Sequence, residues 1–267
     1  MMFTLSRQNI RESLATSLVA LLCILGIYLL QVPQLNKLKD SQKTVSLDTL
    51  NRELQSENLR LNLLQKLPSF GFNNLISDWV FINFLQYFGD DEAREKTGYD
   101  LSPKYFKVIL DRDPYFLQAY LFLSTSTSLY AGKPEESIAL MTKGLKFLTP
   151  KVPPKSYYVW RYKGIDELLF LGNAQAAKHS FEMAANWASI YPDEESQQVA
   201  AISRSTAEFL ARNPNSKSAQ IAAWTMVLNN PIDAQTQKSV IKRIVALGAE
   251  VSITPQGVVQ VTSPKED

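Results

Sequence analysis

The run Leu171-Gly172-Asn173-Ala174-Gln175-Ala176-Ala177-Lys178-His179-Ser180-Phe181-Glu182-Met183-Ala184 reads as a tight turn followed by a helix. Gly172-Asn173 breaks whatever precedes it, and the alanine-rich stretch after it has high helix propensity. Small residues at Gly172, Ala177 and Ala184 surround one ring, Phe181. On a helix, small residues let a neighbour approach closely and a large one fills the gap that remains. The segment before the turn, Lys155 to Leu171, and the segment after it, Ala174 to Ile190, therefore form an antiparallel helix pair.

The same punctuation recurs along the chain. Asp113-Pro114, Thr149-Pro150, Tyr191-Pro192, Asn213-Pro214 and Asn230-Pro231 each mark a helix boundary. Proline lacks the backbone donor and pushes its predecessor out of the helical region. These marks predict a pair from Tyr115 to Tyr130 and Glu135 to Leu148, turning at Ala131-Gly132-Lys133-Pro134. Pro134 opens its helix, with Glu135 and Glu136 in the first turn, which suits the missing donor and the helix dipole. Glu194 to Ala211 and Ser216 to Leu228 make a further pair, closed by a capping helix from Ile232 to Leu247. After Gly248, residues Val251 to Val261 alternate β-branched side chains around Pro255-Gln256-Gly257, a hairpin that must dock on the last helices to be stable.

The N-terminal third differs. Leu14 to Val32 carries no charged residue, and as a helix it would reach roughly 28 Å, so a transmembrane helix is expected after a short tail at 1–13. The apolar part is too long for a signal-peptide core, no small-x-small cleavage site follows, and Leu22 before Cys23 does not suit lipidation. Arg7 and Arg11 before the helix are balanced by Lys37, Lys39 and Lys43 after it. The short tail then favours a cytoplasmic N-terminus, with the remaining domain on the exported side of a plasma membrane or thylakoid. Residues 33–71 read as a helical stalk and hinge, with leucines 47, 50, 54, 61 and 64 on one stripe that Glu57 interrupts. Leu75 to Phe88 is dense in aromatics but too short an apolar run to span a bilayer, so it is expected as a helix buried on most sides. Asp90-Asp91-Glu92 ends that helix, and Gly98 to Ser102 is a loop. The helical domain covers 72–247, and the hairpin and tail cover 248–267.

Charge excludes some function classes. The 267 residues hold 28 Lys and Arg against 26 Asp and Glu, a net charge of +2 with no basic stripe for nucleic acid. Cys23 is the sole cysteine, so neither an intramolecular disulfide nor a multi-cysteine zinc site can form. His179, the only histidine, has no second histidine to share a metal. Asp111 and Asp113 resemble the Asp-x-Asp of metal-dependent sugar transferases, but Asp113 precedes Pro114 at a helix boundary, where capping explains it. Asp193-Glu194-Glu195 follows Pro192 and serves a helix dipole. Gly132-Lys133 lacks the rest of a phosphate loop, and no Gly-x-Ser-x-Gly elbow occurs. No catalytic residue, cofactor or metal is expected. The candidate binding surface is Lys155 to Lys163, where Tyr157, Tyr158 and Tyr162 offer large contact area with polar tips and Arg161 could clamp a carboxylate. The other reading of this run is a helix packed between two neighbours.

Gly172, Ala177, Phe181 and Ala184, with the weaker set Tyr120, Leu123, Ser137, Met141 and Gly144, resemble the tetratricopeptide repeat. Phe106, Met141 and Phe181 would be equivalent, at spacings of 35 and 40 residues against an ideal of about 34. Ser77-Asp78-Trp79, Gln86-Tyr87-Phe88-Gly89, Leu110 to Phe116 and Lys143-Gly144-Leu145 resemble a group of bacterial membrane-anchored proteins of this type, for which no activity carries over. Membrane-anchored repeat proteins of this kind also assist photosynthetic complex assembly. The resemblance implies an all-α fold: an N-terminal transmembrane helix, then a right-handed superhelix of antiparallel helix pairs, then the small β-hairpin. It implies a membrane-anchored adaptor or assembly scaffold for protein partners, held to the lipid bilayer through Leu14 to Val32. Gly144, Gly172, Ala177, Phe181 and Ala184 would pack the repeats. A structural subunit of an envelope or photosynthetic complex, or a tethered enzyme, would be the other readings.

Overall fold

Residues 17–33, 46–212, 217–229, 232, 234–253 and 259–262 are described by the structure, a computed structural model, and the chain divides into two units, 1–49 and 50–267. In the first unit, residues 17–33 form α1, whose leucines and isoleucines are exposed. No helix among the described residues is long and apolar enough to cross a membrane. That overturns the transmembrane helix expected over Leu14 to Val32 and, with it, the single-pass placement with an exported domain. The tail at 1–13, Leu14 to Thr16, the prolines 214 and 231 and the hairpin turn at 255–257 lie outside the described residues.

The second unit is predominantly helical. The helices run α2 (Leu47–Lys66, beginning at the end of the first unit), α3 (Asn73–Phe88), α4 (Asp91–Thr97), α5 (Ser102–Arg112) and α6 (Leu117–Leu123). A π-helical segment, Ser124–Tyr130, leads to α7 (Pro134–Gly144), α8 (Tyr157–Leu169), α9 (Ala174–Ala188), α10 (Glu194–Arg212), α11 (Lys217–Leu228) and α12 (Ala234–Ala246). Strands β1 (Glu250–Ile253) and β2 (Val259–Thr262) pair antiparallel, with Val251 opposite Val261. Both valines pack on the apolar cluster of Ile221, Trp224, Val227, Val240 and Ile244. The hairpin is thus anchored as a marginal two-stranded sheet requires.

Local chemistry explains the boundaries. The Asn173 side chain accepts the Ala176 N–H to cap α9, and the Asp90 side chain accepts the Ala93 N–H to cap α4. Asp90-Asp91-Glu92 therefore opens a helix as well as following one, because acids favour a first turn as strongly as they break a last one. Gly172 holds φ at +61°, and a Cβ there would stand 2.3 Å from the Gln220 side chain, so the α8–α9 turn needs glycine for both conformation and space. The Arg112 guanidinium donates to the carbonyls of Leu64 and Leu67, satisfying the open C-terminal end of α2.

Packing rests on small residues under rings. At Gly144 on α7 a Cβ would lie 1.9 Å from the Tyr120 hydroxyl of α6. At Gly164 on α8 it would meet the Phe181 ring of α9 at 3.2 Å. The first pair sets the ring on its first helix and glycine on its second, and the next pair reverses them. Ala177 and Ala184 are fully buried, Phe181 nearly so, and α9 packs along both α8 and α10. The apolar interior is a series of clusters: one under α2, α3, α5, α6 and α7, one between α9 and α10, one between Tyr157, Ala188 and Ala200, and the one beneath α11, α12 and the hairpin.

Candidate functional site

Helix α8 carries the polar chemistry of the second unit. Its N-terminal half is the tyrosine-rich run, and the structure gives each member an internal partner. Tyr157 is fully buried, its hydroxyl 3.0 Å from that of Ser196. Tyr158 donates to the Glu195 carboxylate at 2.6 Å, and Tyr162 stacks on Tyr158 at 5.9 Å. Burial, then the Glu195 hydrogen bond, pushes the Tyr158 phenol up. Arg161 donates to Ser203 at 3.3 Å. Tyr158, Arg161 and Tyr162 are half-buried, so this run joins α8 to α10 and leaves only part of each side chain on the surface.

The C-terminal half of α8 buries two adjacent carboxylates that no sequence pattern singled out. Asp166 is fully buried and accepts hydrogen bonds from Ser124 at 2.7 Å, Ser128 at 2.6 Å and Ser137 at 2.8 Å. Burial raises its carboxyl to about 6 against the lowering effect of the three hydroxyls. Ser124 and Ser128 come from the π-helical segment, and Ser137 from α7. The Ser-Thr-Ser-Thr-Ser sequence favours that segment, since these side chains compete with the backbone ladder; Thr125 donates to the Leu121 carbonyl at 3.2 Å. Glu167 points to the other neighbour, accepting from Ser180 of α9 at 2.6 Å and pairing with Lys163. The pair ties α8 to the π-helical segment, α7 and α9.

The other chemical candidates are also engaged in structure. Asp111 pairs with Lys107 and Lys143. Asp113 accepts the Tyr115 N–H at 2.9 Å. Asp193 caps α10 by accepting from Ser196, and Glu195 pairs with Lys155. His179 is exposed, its ring edge-on to Trp160 at 5.8 Å. Among the described residues no group of three His, Cys, Asp or Glu could hold a metal ion.

Besides α1, exposed large apolar side chains gather on α2 and α3. Helix α3 carries apolar side chains on more than one face, with Asn74, Asp78 and Gln86 exposed among them. Its inner face does bury Val80, Phe81, Phe84 and Tyr87. Its outer face does not follow: Leu75 is 64% exposed, Trp79 46% and Ile82 55%, spaced four and three residues apart as one helical stripe. This corrects the expectation of a helix buried on most sides. Phe70 and Phe72, in the turn before α3, and Leu59 and Leu63 on α2 are exposed as well. The stripe is held rigidly. Arg60 of α2 lies 4.8 Å from the Trp79 ring centroid and donates to Asn83, while Glu57 accepts from Tyr105 of α5 at 2.6 Å. The signal was present in the sequence as an apolar helix whose stripes at 75, 79, 82 and 77, 80, 84 could not both be told inward.

Compared with known proteins, the chain finds no counterpart: no family model, no curated protein and no solved structure matches it.

Proposed function

We propose that this protein is a tetratricopeptide-like helical scaffold that binds a protein partner through the outer face of α3. The observation that carries the reading is the uncovered stripe of Leu75, Trp79 and Ile82 on α3. Exposed apolar area concentrated on consecutive elements is costly to leave in water and marks an interaction surface. The stacked helices α8, α9 and α10, with small residues under rings, support the repeat-type architecture. Binding is the work such an architecture does, since rigid helices hold a surface in place at little entropic cost on association.

A photo-crosslinking amino acid at Ile82 of the full chain, activated in its source cells, tests this. A single protein adduct of fixed mass is expected, lost in a Leu75→Glu and Trp79→Glu double variant and retained when Tyr158, Arg161 and Tyr162 are all changed to Ala. Loss of the adduct only in the α8 triple variant would move the partner to the tyrosine-rich run. Absence of any protein adduct from Ile82 or from Tyr162 would overturn the scaffold reading.

A further inference from the structure

The outer stripe of α3 is not wholly apolar. Asp78 stands in it, three residues after Leu75 and four before Ile82, and it is the only charged residue of the helix. Its carboxylate is exposed and has neither an ion pair nor a hydrogen bond among the described residues.

The neighbouring elements explain why it stands alone. Trp79 turns toward α2, where Arg60 lies over its ring and is already paired with Glu57. Asp78, one residue earlier, falls about 100° away around the helix. Phe81 continues that side and meets Phe116 and Phe122 at 4.8 and 5.5 Å, so Asp78 is on the flank toward α6. From residue 114 to residue 132, through α6 and the π-helical segment, the chain carries no charged residue. Arg112, just before that stretch, donates to the carbonyls of Leu64 and Leu67 and to the Asn73 side chain. Lys66, in the last turn of α2, makes no ion pair with Asp78.

A carboxylate among exposed apolar side chains decides what can cover them. Under a wholly apolar surface it would lose its water with no opposite charge in return, a penalty that offsets the apolar contact around it. A cation carried by the occupant removes that penalty and lets Leu75, Trp79 and Ile82 be buried together. The stripe also sets the shape of the occupant. It runs along one helix for about three turns from Leu75 to Leu85, with Tyr115 and Leu121 exposed on the α6 side. There is no strand edge in α2, α3 or α6 to extend, so recognition is by side chains at helical spacing.

We propose that the outer face of α3 takes a basic amphipathic helix, whose apolar residues cover Leu75, Trp79 and Ile82 and whose Lys or Arg pairs with Asp78. This rests on the reading of α3 as the partner surface and adds the chemistry of the partner.

The probes are two synthetic amphipathic helices with the same leucine stripe, flanked by lysines in one and by glutamates in the other. Each is titrated into the full chain at low salt and followed by calorimetry and by the indole N–H resonance of Trp79, assigned with Trp79→Phe. The lysine helix should bind at least about tenfold more tightly than the glutamate helix and should shift the Trp79 resonance. Asp78→Asn should weaken the lysine helix about threefold to fivefold, whereas Glu208→Gln, at an exposed acid on α10, should leave it unchanged. Asp78 is exposed, so its variant is expected to keep its circular dichroism. Equal binding of the two helices would overturn the proposal, as would no binding of the lysine helix or binding that leaves the Trp79 resonance in place. A loss in Asp78→Asn no larger than in Glu208→Gln would overturn it too. If any of these results came with a protein adduct crosslinked from Ile82, the α3 surface would stand and only the basic partner would be removed. Absence of the adduct would remove the surface itself.

Discussion

Gly144 shows how much one hydrogen atom in place of a methyl group decides here. The Tyr120 ring fills the space above it and donates to the Pro114 carbonyl at 2.8 Å, so a Cβ at position 144 would have to displace a fully buried, hydrogen-bonded side chain. Gly144→Ala should destabilise the fold by about 1–3 kcal/mol, even though alanine is the better helix former, because overpacking outweighs propensity. Urea unfolding checks this. A Tyr120→Leu change in the same chain should recover part of the loss, so the two substitutions together cost less than their sum. That Gly144 and Phe181 are packing residues was legible in the sequence as a rhythm of small and large residues. That the glycine of one pair lies on the second helix and that of the next pair on the first was not, because either arrangement satisfies the same rhythm.

Among the elements, the π-helical segment depends most on a distant partner. Its serines 124 and 128 donate to Asp166, more than thirty residues onward, and Ser137 completes the set. The Asp166 carboxyl titrates at about 6, above its ordinary value, so the folded chain retains a proton that the unfolded chain has released. Stability therefore falls as pH rises from the ordinary carboxylate range to about 6 and is level above it, a change on the order of 3 kcal/mol from this one group. Asp166→Asn removes the titration. The difference in urea midpoint between the two proteins should change between about pH 4 and pH 7, and a constant difference would rule the account out. Sequence reading expected one helix through Tyr130, since periodicity sees apolar residues and turns but not where a hydroxyl finds its acceptor. The α3 helix teaches the same lesson in apolar form: its existence and length were legible, its uncovered side was not.

At the scale of the whole second unit, the core divides into four clusters, the last joining α11, α12 and the hairpin to the end of α8 and the π-helical segment. Separate clusters need not unfold as one. Trp224 lies in the last cluster, donating to the Phe170 carbonyl at 3.1 Å, whereas Trp160 and Trp187 pack together at α8 and α9. Chains retaining only Trp224 or only Trp187 should therefore report different denaturant midpoints; coincident transitions would show a single cooperative unit. The sequence alone determined the helical class, the boundaries from α6 to α12 within a few residues and the terminal hairpin, because proline, glycine and capping side chains act on their own backbone. Tertiary structure alone decided that the tyrosines of α8 meet α10 and that Asp166 sits among three serines. It alone left the stripe of α3 bare. Those outcomes depend on residues far apart in the chain meeting in space, and a local pattern holds no record of what will stand opposite it.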